Sequence, residues 1–482
     1  MSKLRLGGAS LNQHPFNWDN NLKNIKDAIR QAKDGDIDVL CLPELCITGY
    51  GCEDIFLGDW IYEKSLSCLE ELIPECEDIL VAIGLPIKYS GINHNATCIV
   101  HDKNILGIYV KQNMARDGVH YEPRWFIPWK PNKVEKIELF GEEYDIGDVT
   151  FDFKGAKMGF EICEDAWRQD RPACRLYEKG VNLILNPSAS HFAFGKTVLR
   201  EELVVSSSKN FKCTYVYANL LGNEAGRMIY DGEILIARHG QLINRNQWLS
   251  FEQVNLIYSD VDFDNPDERY PDPPTYDNSK ENEFAQASAL ALFDYLRKSR
   301  SNGFVLSLSG GADSSSIAIL VSEMVKRGIA ELGVKEFIKK SGLNLTIDDA
   351  WDIEQVTKSI VGHIFSCAYQ GTVNSSTSTL DSAKALAEDI GATFYHWNID
   401  EEVESYTSKM EKALGRQLAW ETDDITLQNI QARSRSPIIW MMANIKNALL
   451  LTTSNRSEGD VGYATMDGDT SGSIAPISAV DK

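Results

Sequence analysis

Two separated sets of residues have types and spacing that could do chemistry. Residues 307–316 read SLSGGADSSS, after the apolar run Phe304-Val305-Leu306 and before a helical pattern from Ile317 to Met324. The layout predicts a strand, a glycine turn and a helix start. Gly310 and Gly311 carry no Cβ, so the backbone can turn tightly and approach a ligand closely. The first amides of a helix have no partner within it. Ser307, Leu308, Ser309, Gly310, Gly311, Ala312, Asp313 and Ser314 would then form a concave set of N–H donors suited to phosphate. It is not a P-loop, because no Gly-Lys-Ser/Thr follows. An ordinary strand-to-helix turn with a Ser or Asp cap is the alternative.

In the first half, three ionisable residues end strand-like runs or stand just beyond them: Glu44 closes VLCLPE, Lys111 closes ILGIYVK and Cys163 closes KMGFEIC. Strand carboxyl ends are where α/β proteins place catalytic groups. A thiol is mostly protonated at neutral pH and needs a base, which Glu44 could supply. Lys111 could stabilise an oxyanion, and Cys163 could carry an acyl group as a thioester. Taken singly, each has a structural alternative: a buried Cys is commonly just small and apolar, and a Lys after a strand is commonly solvated.

The elements that must hold these residues follow from periodicity. Strand-like runs fall at 36–42, 79–85, 97–100, 158–162, 182–185, 214–218 and 234–237. Leu22, Ile25, Ile29 and Ala32 recur at helical spacing ahead of the first of these runs. Residues 261–282 are dominated by proline and acid and lose periodicity, which predicts a linker over 263–282 between domains at 1–262 and 283–482. Beyond it come a helix over 284–298, the strand and glycine loop, a helix over 381–390 ending at Gly391, and a strand over 394–397. That alternation predicts an open parallel sheet with helices on both faces.

A chain of 482 residues is long enough for two or three domains, and a net charge of −22 argues against nucleic acid or an anionic membrane as partner. It also requires any phosphate site to be locally basic against the overall field. The N-terminal residues have no signal-type apolar core, and no run is long enough to span a membrane. Ten scattered cysteines without a CxxC pair read as reduced thiols of a cytoplasmic protein.

The SGGADS loop resembles the pyrophosphate loop of the ATP pyrophosphatases, which cut ATP between the α and β phosphates and adenylate a substrate. A carboxylate such as Asp313 is repelled by phosphate by about 4 kcal/mol at 4 Å and an effective dielectric of 20, a conflict that a bridging Mg²⁺ removes. LPELCITGY around Glu44, GFEICEDAW around Cys163, and the spacing from Lys111 to Arg124-Trp125-Phe126 resemble the nitrilase superfamily over most of residues 1–260. The resemblance implies an α-β-β-α sandwich with Glu44 as general base, Lys111 as oxyanion stabiliser and Cys163 as nucleophile. It further implies Ser190 and Lys196 of SASHFAFGK as glutamine contacts, Glu122 as an accessory acid and Glu164 as a contact for the substrate amine. A family tyrosine that touches glutamine falls near Tyr121, with His120 at the ungapped position.

One family joins these two units in one polypeptide, the glutamine-dependent NAD⁺ synthetases, and the resemblance covers nearly the whole chain. It implies an α/β chain, a nitrilase-like sandwich followed by a Rossmann-like parallel-sheet domain. The implied activity releases ammonia from glutamine and amidates adenylated deamido-NAD⁺, with ATP as co-substrate and Mg²⁺ as cofactor. By motif, Asn429 and Arg433 of QNIQAR would contact deamido-NAD⁺, Thr453 of TTSNRSE would meet ATP, and Glu458 would ligate Mg²⁺ with Asp313 or contact the substrate. Asp469 lies in the substrate loop, and Lys482 would reach the ATP phosphates. Because ammonia protonates in bulk water, a sheltered passage and a homo-oligomer are expected.

The resemblance implies further chain after Lys482, so the chain reads as truncated or as a short member. Ser473 and Met466 stand where ammonia-only relatives carry an acid and a lysine. Two alternatives stay open: an amidotransferase ligase acting on another carboxylate, and an amidase of the nitrilase type with an inactive ATP domain.

Overall fold

Alternation of apolar residues on both faces of short strands builds two stacked sheets in the first half. In the computed structural model, residues 3–481 are described except Asp117, Asp267 and Asp349. The chain divides into two units, 1–287 and 288–482, and the division falls inside the helix Lys280–Lys298. That helix starts four residues before the expected position. The expected linker therefore surrenders its last residues, 280–282, to a first turn rich in acid, which suits a helix N-terminus.

In the first unit, an eight-stranded sheet runs Val254–Asp262, Lys3–Leu11, Val39–Cys41, Leu80–Tyr89, Ile92–His101, Asn104–Val110, Glu142–Gly147 and Val134–Leu139. A six-stranded sheet runs Gln241–Arg245, Ile234–Arg238, Thr214–Asn219, Leu183–Ser188, Ala156–Phe160 and Phe151–Phe153. Side chains alternate across each strand. Val39, Cys41, Leu80 and Ala82 point into a core shared with Met158, Phe160, Leu183 and Val216 of the second sheet. Leu40, Leu42, Val81 and Ile83 point the other way, against Ile25, Ile29, Leu69 and Leu72 of the helices Trp18–Asp34 and Trp60–Leu72. The second sheet packs its outer face on Leu176 and Val204 of the helices Pro172–Glu178 and Lys196–Asn210. The result is the expected helix–sheet–sheet–helix sandwich. The strand expected over 36–42 is only Val39–Cys41, because Asp36 takes a left-handed φ of 52° and turns the chain first.

The second unit holds a four-stranded parallel sheet in the order Thr393–Asn398, Phe365–Gly371, Phe304–Ser307, Leu449–Leu451. Chain order moves outward from Phe304–Ser307 to one edge, then returns to its other side. Strand Phe304–Ser307 therefore ends at a switch point, where open α/β sheets leave a crevice. The ten cysteines are all free thiols. Among the described residues no helix is long and apolar enough to cross a membrane.

One close approach fixes where Glu44 sits. A Cβ on Gly84, in strand Leu80–Tyr89, would stand 2.4 Å from the Pro43 carbonyl oxygen and 2.6 Å from the Leu45 nitrogen. Gly84→Ala is therefore expected to lower stability by about 1–3 kcal/mol, the usual cost of overpacking, measured by denaturant unfolding. A loss under about 0.5 kcal/mol would show that the loop gives way.

Candidate active sites

The first site is a buried charge cluster at the strand ends of the sandwich. Glu44, Lys111 and Glu122 are all fully buried. Lys111 Nζ donates to Glu44 Oε1 at 2.5 Å and to both Glu122 oxygens at 2.8 Å. Asn95 Nδ2 donates to Glu44 Oε1 at 2.7 Å and to Glu122 Oε1 at 3.2 Å. The Ala115 amide donates to Glu122 Oε2 at 2.6 Å. Glu122 is thus held by three donors on both oxygens, whereas Glu44 Oε2 is buried with no hydrogen-bond partner.

That difference separates the two carboxylates. Burial pushes Glu44 up to about 7, opposed by Lys111 and reinforced by the neighbouring Glu122 charge. Glu122 is equally buried, but Lys111 and the Ala115 amide outweigh that and hold it below the usual carboxylate range. Burial alone would lower Lys111, but Glu122 and Glu44 raise it well above an ordinary lysine. Two titratable groups pushed apart by their surroundings are the signature of divided acid–base roles.

Cys163 follows the strand Ala156–Phe160 and opens a short 3₁₀ turn, Cys163–Trp167, with a left-handed φ of 45°. Such a conformation costs roughly 1–3 kcal/mol for a residue with a Cβ and must be held by its surroundings. Asp165 holds it: its carboxylate accepts from the amides of Ile162 at 3.0 Å, Gln112 at 3.0 Å and Asn113 at 2.7 Å. One side chain thus ties the turn bearing the thiol to the segment just after Lys111. The thiol is pushed up to about 12 by burial and then by Glu44, with Lys111 pulling the other way. It is a thiol within electrostatic reach of Glu44, whose Oε2 has no hydrogen-bond partner.

Around this cluster the structure brings in residues that the sequence did not reveal. Buried Arg200 pairs with Asp231 and Glu233 and donates to Ser190 Oγ at 3.2 Å and to the Ser190 carbonyl at 3.3 Å. Asn219 clasps Ser190 on both sides, accepting its amide at 2.7 Å and donating to its carbonyl at 2.8 Å. Lys196 donates to the His191 carbonyl at 3.0 Å. Burial lowers it to about 8, with Arg200 adding and Cys163 and Glu164 opposing. Glu164 pairs with Arg168 at 2.6 Å. Tyr121 is 51% exposed, whereas its neighbour His120 bonds Tyr50 and His191.

The second site is a cleft of about 380 Å³ in the other unit, at the switch point. Ser307, Leu308, Ser309, Gly311, Asp313 and Ser314 line it, with Thr453 and Asp469. Gly310 and Ala312 complete the loop, Ala312 opening the helix Ala312–Leu332. The helix Trp420–Lys446 turns Ala432, Arg435, Ser436 and Ile439 toward the cleft, the i, i+3, i+4, i+7 stripe of one face. Arg435 is the cation this face supplies, lowered by burial against the pull of Asp469. Asn429 and Arg433 lie on another face, lining a separate cavity of about 420 Å³ with Tyr406 and Met410. Their side chains bond Thr465 and the Met466 carbonyl.

Glu458 stands in the helix Arg456–Val461, outside the residues lining the cleft. Lys482 falls outside the described residues. Among the described residues, no group of three or more His, Cys, Asp or Glu side chains forms a metal cage. Asp313 in the cleft suits instead a hard cation that arrives on phosphate oxygens and takes one or two carboxylates.

Comparison with known proteins places both units. A carbon-nitrogen hydrolase family model matches residues 6–268, and an NAD synthase family model matches residues 284–482. A glutamine-dependent NAD(+) synthetase of Oryza sativa subsp. indica is 30% identical, with 100% of this chain and 74% of that protein covered. One of Saccharomyces cerevisiae is 29% identical, with 99% of this chain and 77% of that protein covered. The crystal structure of a glutamine-dependent NAD(+) synthetase from Cytophaga hutchinsonii superposes with a TM-score of 0.92 at 54% identity, covering 100% of this chain and 79% of that one. One from Acinetobacter baumannii, solved with adenosine diphosphate, shares the fold at a TM-score of 0.79 and 24% identity, covering 100% of this chain and 80% of that one.

The cradle admits a direct test. Gly310 has a φ of 78°, and a Cβ there would stand 2.3 Å from the Thr379 carbonyl oxygen. Gly310→Ala is expected to weaken nucleotide triphosphate binding by about tenfold or more in calorimetry, because a moved loop loses charge-assisted bonds. Unchanged affinity would mean that the loop amides do not hold the phosphates.

Proposed function

Because this chain belongs to the glutamine-dependent NAD(+) synthetase family, we propose that it hydrolyses glutamine at Cys163 and uses the ammonia to amidate adenylated deamido-NAD⁺ at the glycine cradle. The observation that supports the first half is the buried Glu44 Oε2, left without a partner in a cluster that reaches the thiol electrostatically. Glu44 takes the thiol proton as sulfur attacks the carboxamide carbon, forming a C–S bond. Lys111 steadies the resulting oxyanion. Glu44 returns the proton as the C–N bond breaks and ammonia leaves. Water, deprotonated by the same carboxylate, then opens the thioester to glutamate. Glu122 stays ionised throughout and keeps Lys111 charged and aimed. Ser190, Lys196 and Glu164 hold the amino-acid end of glutamine.

In the second unit, the loop amides from Ser309 to Ser314 hold the ATP phosphates, and Arg435 supplies positive charge from the lining of the cleft. Asp313 would hold an Mg²⁺ brought with ATP, and that cation would neutralise phosphate charge. The nicotinate carboxylate of deamido-NAD⁺ displaces pyrophosphate from the α-phosphorus, and ammonia then displaces AMP to form the amide. Asp469 and Thr453 border the reacting groups. Asn429 and Arg433 are placed to hold a more distant part of the dinucleotide.

Incubation with ATP, Mg²⁺, glutamine and deamido-NAD⁺ should yield NAD⁺, AMP, pyrophosphate and glutamate. Cys163→Ala should abolish synthesis from glutamine and keep synthesis from ammonium, whereas Asp313→Ala should abolish both. Glutamate without NAD⁺ from the parent would point to an amidase, and undiminished glutamine use by Cys163→Ala would remove the nucleophile assignment.

Acid–base behaviour gives a separate test. A base raised to about 7 is protonated and inactive below that pH, so glutamine hydrolysis should fall as pH drops through neutrality rather than near 4. Glu122 raises Glu44, so Glu122→Gln should move the acid limb to lower pH by about one unit or more. An acid limb that stays in place would show that Glu44 is not the group being titrated.

A further inference from the structure

A chain of hydrogen bonds leads from Lys196 to Tyr50 through two histidines. Lys196 Nζ lies 3.4 Å from His191 Nδ1, His120 Nε2 lies 2.9 Å from that same nitrogen, and Tyr50 Oη lies 3.1 Å from His120 Nδ1. The rings stack as an ordered series, Tyr50 edge-on to His120 at 5.6 Å and His120 tilted on His191 at 5.0 Å. Tyr50 is buried and pinned by its amide on Glu224 Oε1 at 2.8 Å.

The donor inventory orients every bond in this chain. A lysine ammonium has only donors, so His191 Nδ1 accepts. His120 Nε2 meets that same acceptor and must donate. A His120 whose single proton sits on Nε2 presents Nδ1 as an acceptor, and in that tautomer the Tyr50 hydroxyl gives its proton to His120. The tautomers are thereby assigned from the network. Burial, then Lys196 and His120, lowers His191 to about 4, which keeps it neutral. Burial, Glu122 and Glu44 keep the Tyr50 proton in place. With that proton committed, the Tyr50 oxygen has only lone pairs to offer elsewhere, within electrostatic reach of Glu44, Glu122 and Cys163.

A carboxamide and the carboxylate made from it differ in what such an oxygen can do with them. The amide nitrogen carries two donors, whereas the carboxylate carries only acceptors. We propose that the His120–His191 pair is a positioning device that locks the Tyr50 hydroxyl as an acceptor, so that the pocket prefers a carboxamide substrate to its carboxylate product. The inference rests on the reading of Cys163 as the site of glutamine hydrolysis.

The test is the ratio of KM for glutamine to the inhibition constant of glutamate. His120→Phe and His191→Leu free the Tyr50 hydroxyl to donate, so KM should rise while glutamate binds more tightly, moving the ratio up by about tenfold, the scale of one lost and one gained hydrogen bond. His191→Asn keeps an acceptor near the Nδ1 position and should hold the ratio near that of the parent. Tyr50→Phe should raise KM without tightening glutamate, because no hydroxyl remains to donate. A merely structural role would raise both constants together, and that outcome, or an unmoved ratio in folded His120→Phe and His191→Leu, would overturn the inference alone. Should those variants fail to fold, ¹⁵N spectra of the histidine-labelled parent decide: both rings protonated on Nε2 supports the device, and His120 or His191 protonated on Nδ1 instead overturns it. A parent that shows no Cys163-dependent hydrolysis would overturn the function first and this inference with it.

Discussion

A single buried ammonium shared by two buried carboxylates organises the first site. Removing Lys111, Glu44 and Glu122 from water costs several kcal/mol per ion, and the cluster is tolerable only because nearly every polar atom in it is bonded. Lys111 spends its donors on three carboxylate oxygens, and Asn95 bridges the same two acids. The exceptions are Glu44 Oε2 and Asn95 Oδ1. Distant parts of the fold serve this arrangement: Gly84 lets a strand pass under the Glu44 backbone, and Asp165 knots the thiol turn to the segment after Lys111. Removing one partner would leave an uncompensated charge, which costs far more than the intact cluster is worth.

The second unit solves the opposite problem. In a chain with a net charge of −22, its cleft brings together the start of a helix and the cation Arg435. The strand Phe304–Ser307 ends at the crevice between Phe365–Gly371 and Leu449–Leu451, and the helix Ala312–Leu332 starts there. A 27-residue helix then divides its labour by face. Residues two apart on a helix point about 200° away from each other, so Arg435 can face the crevice only if Arg433 does not.

That geometry explains what could be read from sequence. Strand alternation and the glycine loop are local signals, and so the sandwich, the parallel sheet and the ends bearing Glu44, Lys111 and Cys163 were legible. The role of Arg435 was not, because a motif is linear whereas a helix presents faces, and Asn429 and Arg433 of QNIQAR share a face that Arg435 does not. Asn95, Arg200, Asn219 and His191 left no local trace, since each acts by tertiary adjacency to a residue tens of positions away. Tyr121 was named because it stands near the family tyrosine, with His120 at the ungapped position; the turn that begins Glu122–Trp125 leaves Tyr121 half exposed and joins His120 to Tyr50 and His191. The helix at Lys280 began early because Glu283 is drawn in by Thr197, a contact that no window of sequence contains.

Burial raises the thiols of Cys46 and Cys76 to about 12, as it does that of Cys163. The raised value alone therefore marks nothing. What separates Cys163 is its company and its backbone. Cys46 leans on the Gly84 carbonyl and Cys76 on the Leu72 carbonyl, each a neutral acceptor that cannot keep a proton. Cys163 lies within electrostatic reach of an acid raised toward neutrality, Glu44, and of an ammonium, Lys111, that favours the thiolate. Its left-handed φ, held by Asp165, sets the sulfur at a turn rather than within a strand. A thiol that is inert at rest is protected from stray electrophiles, and it becomes a nucleophile only when a carbonyl carbon is close enough for proton loss and attack to occur together.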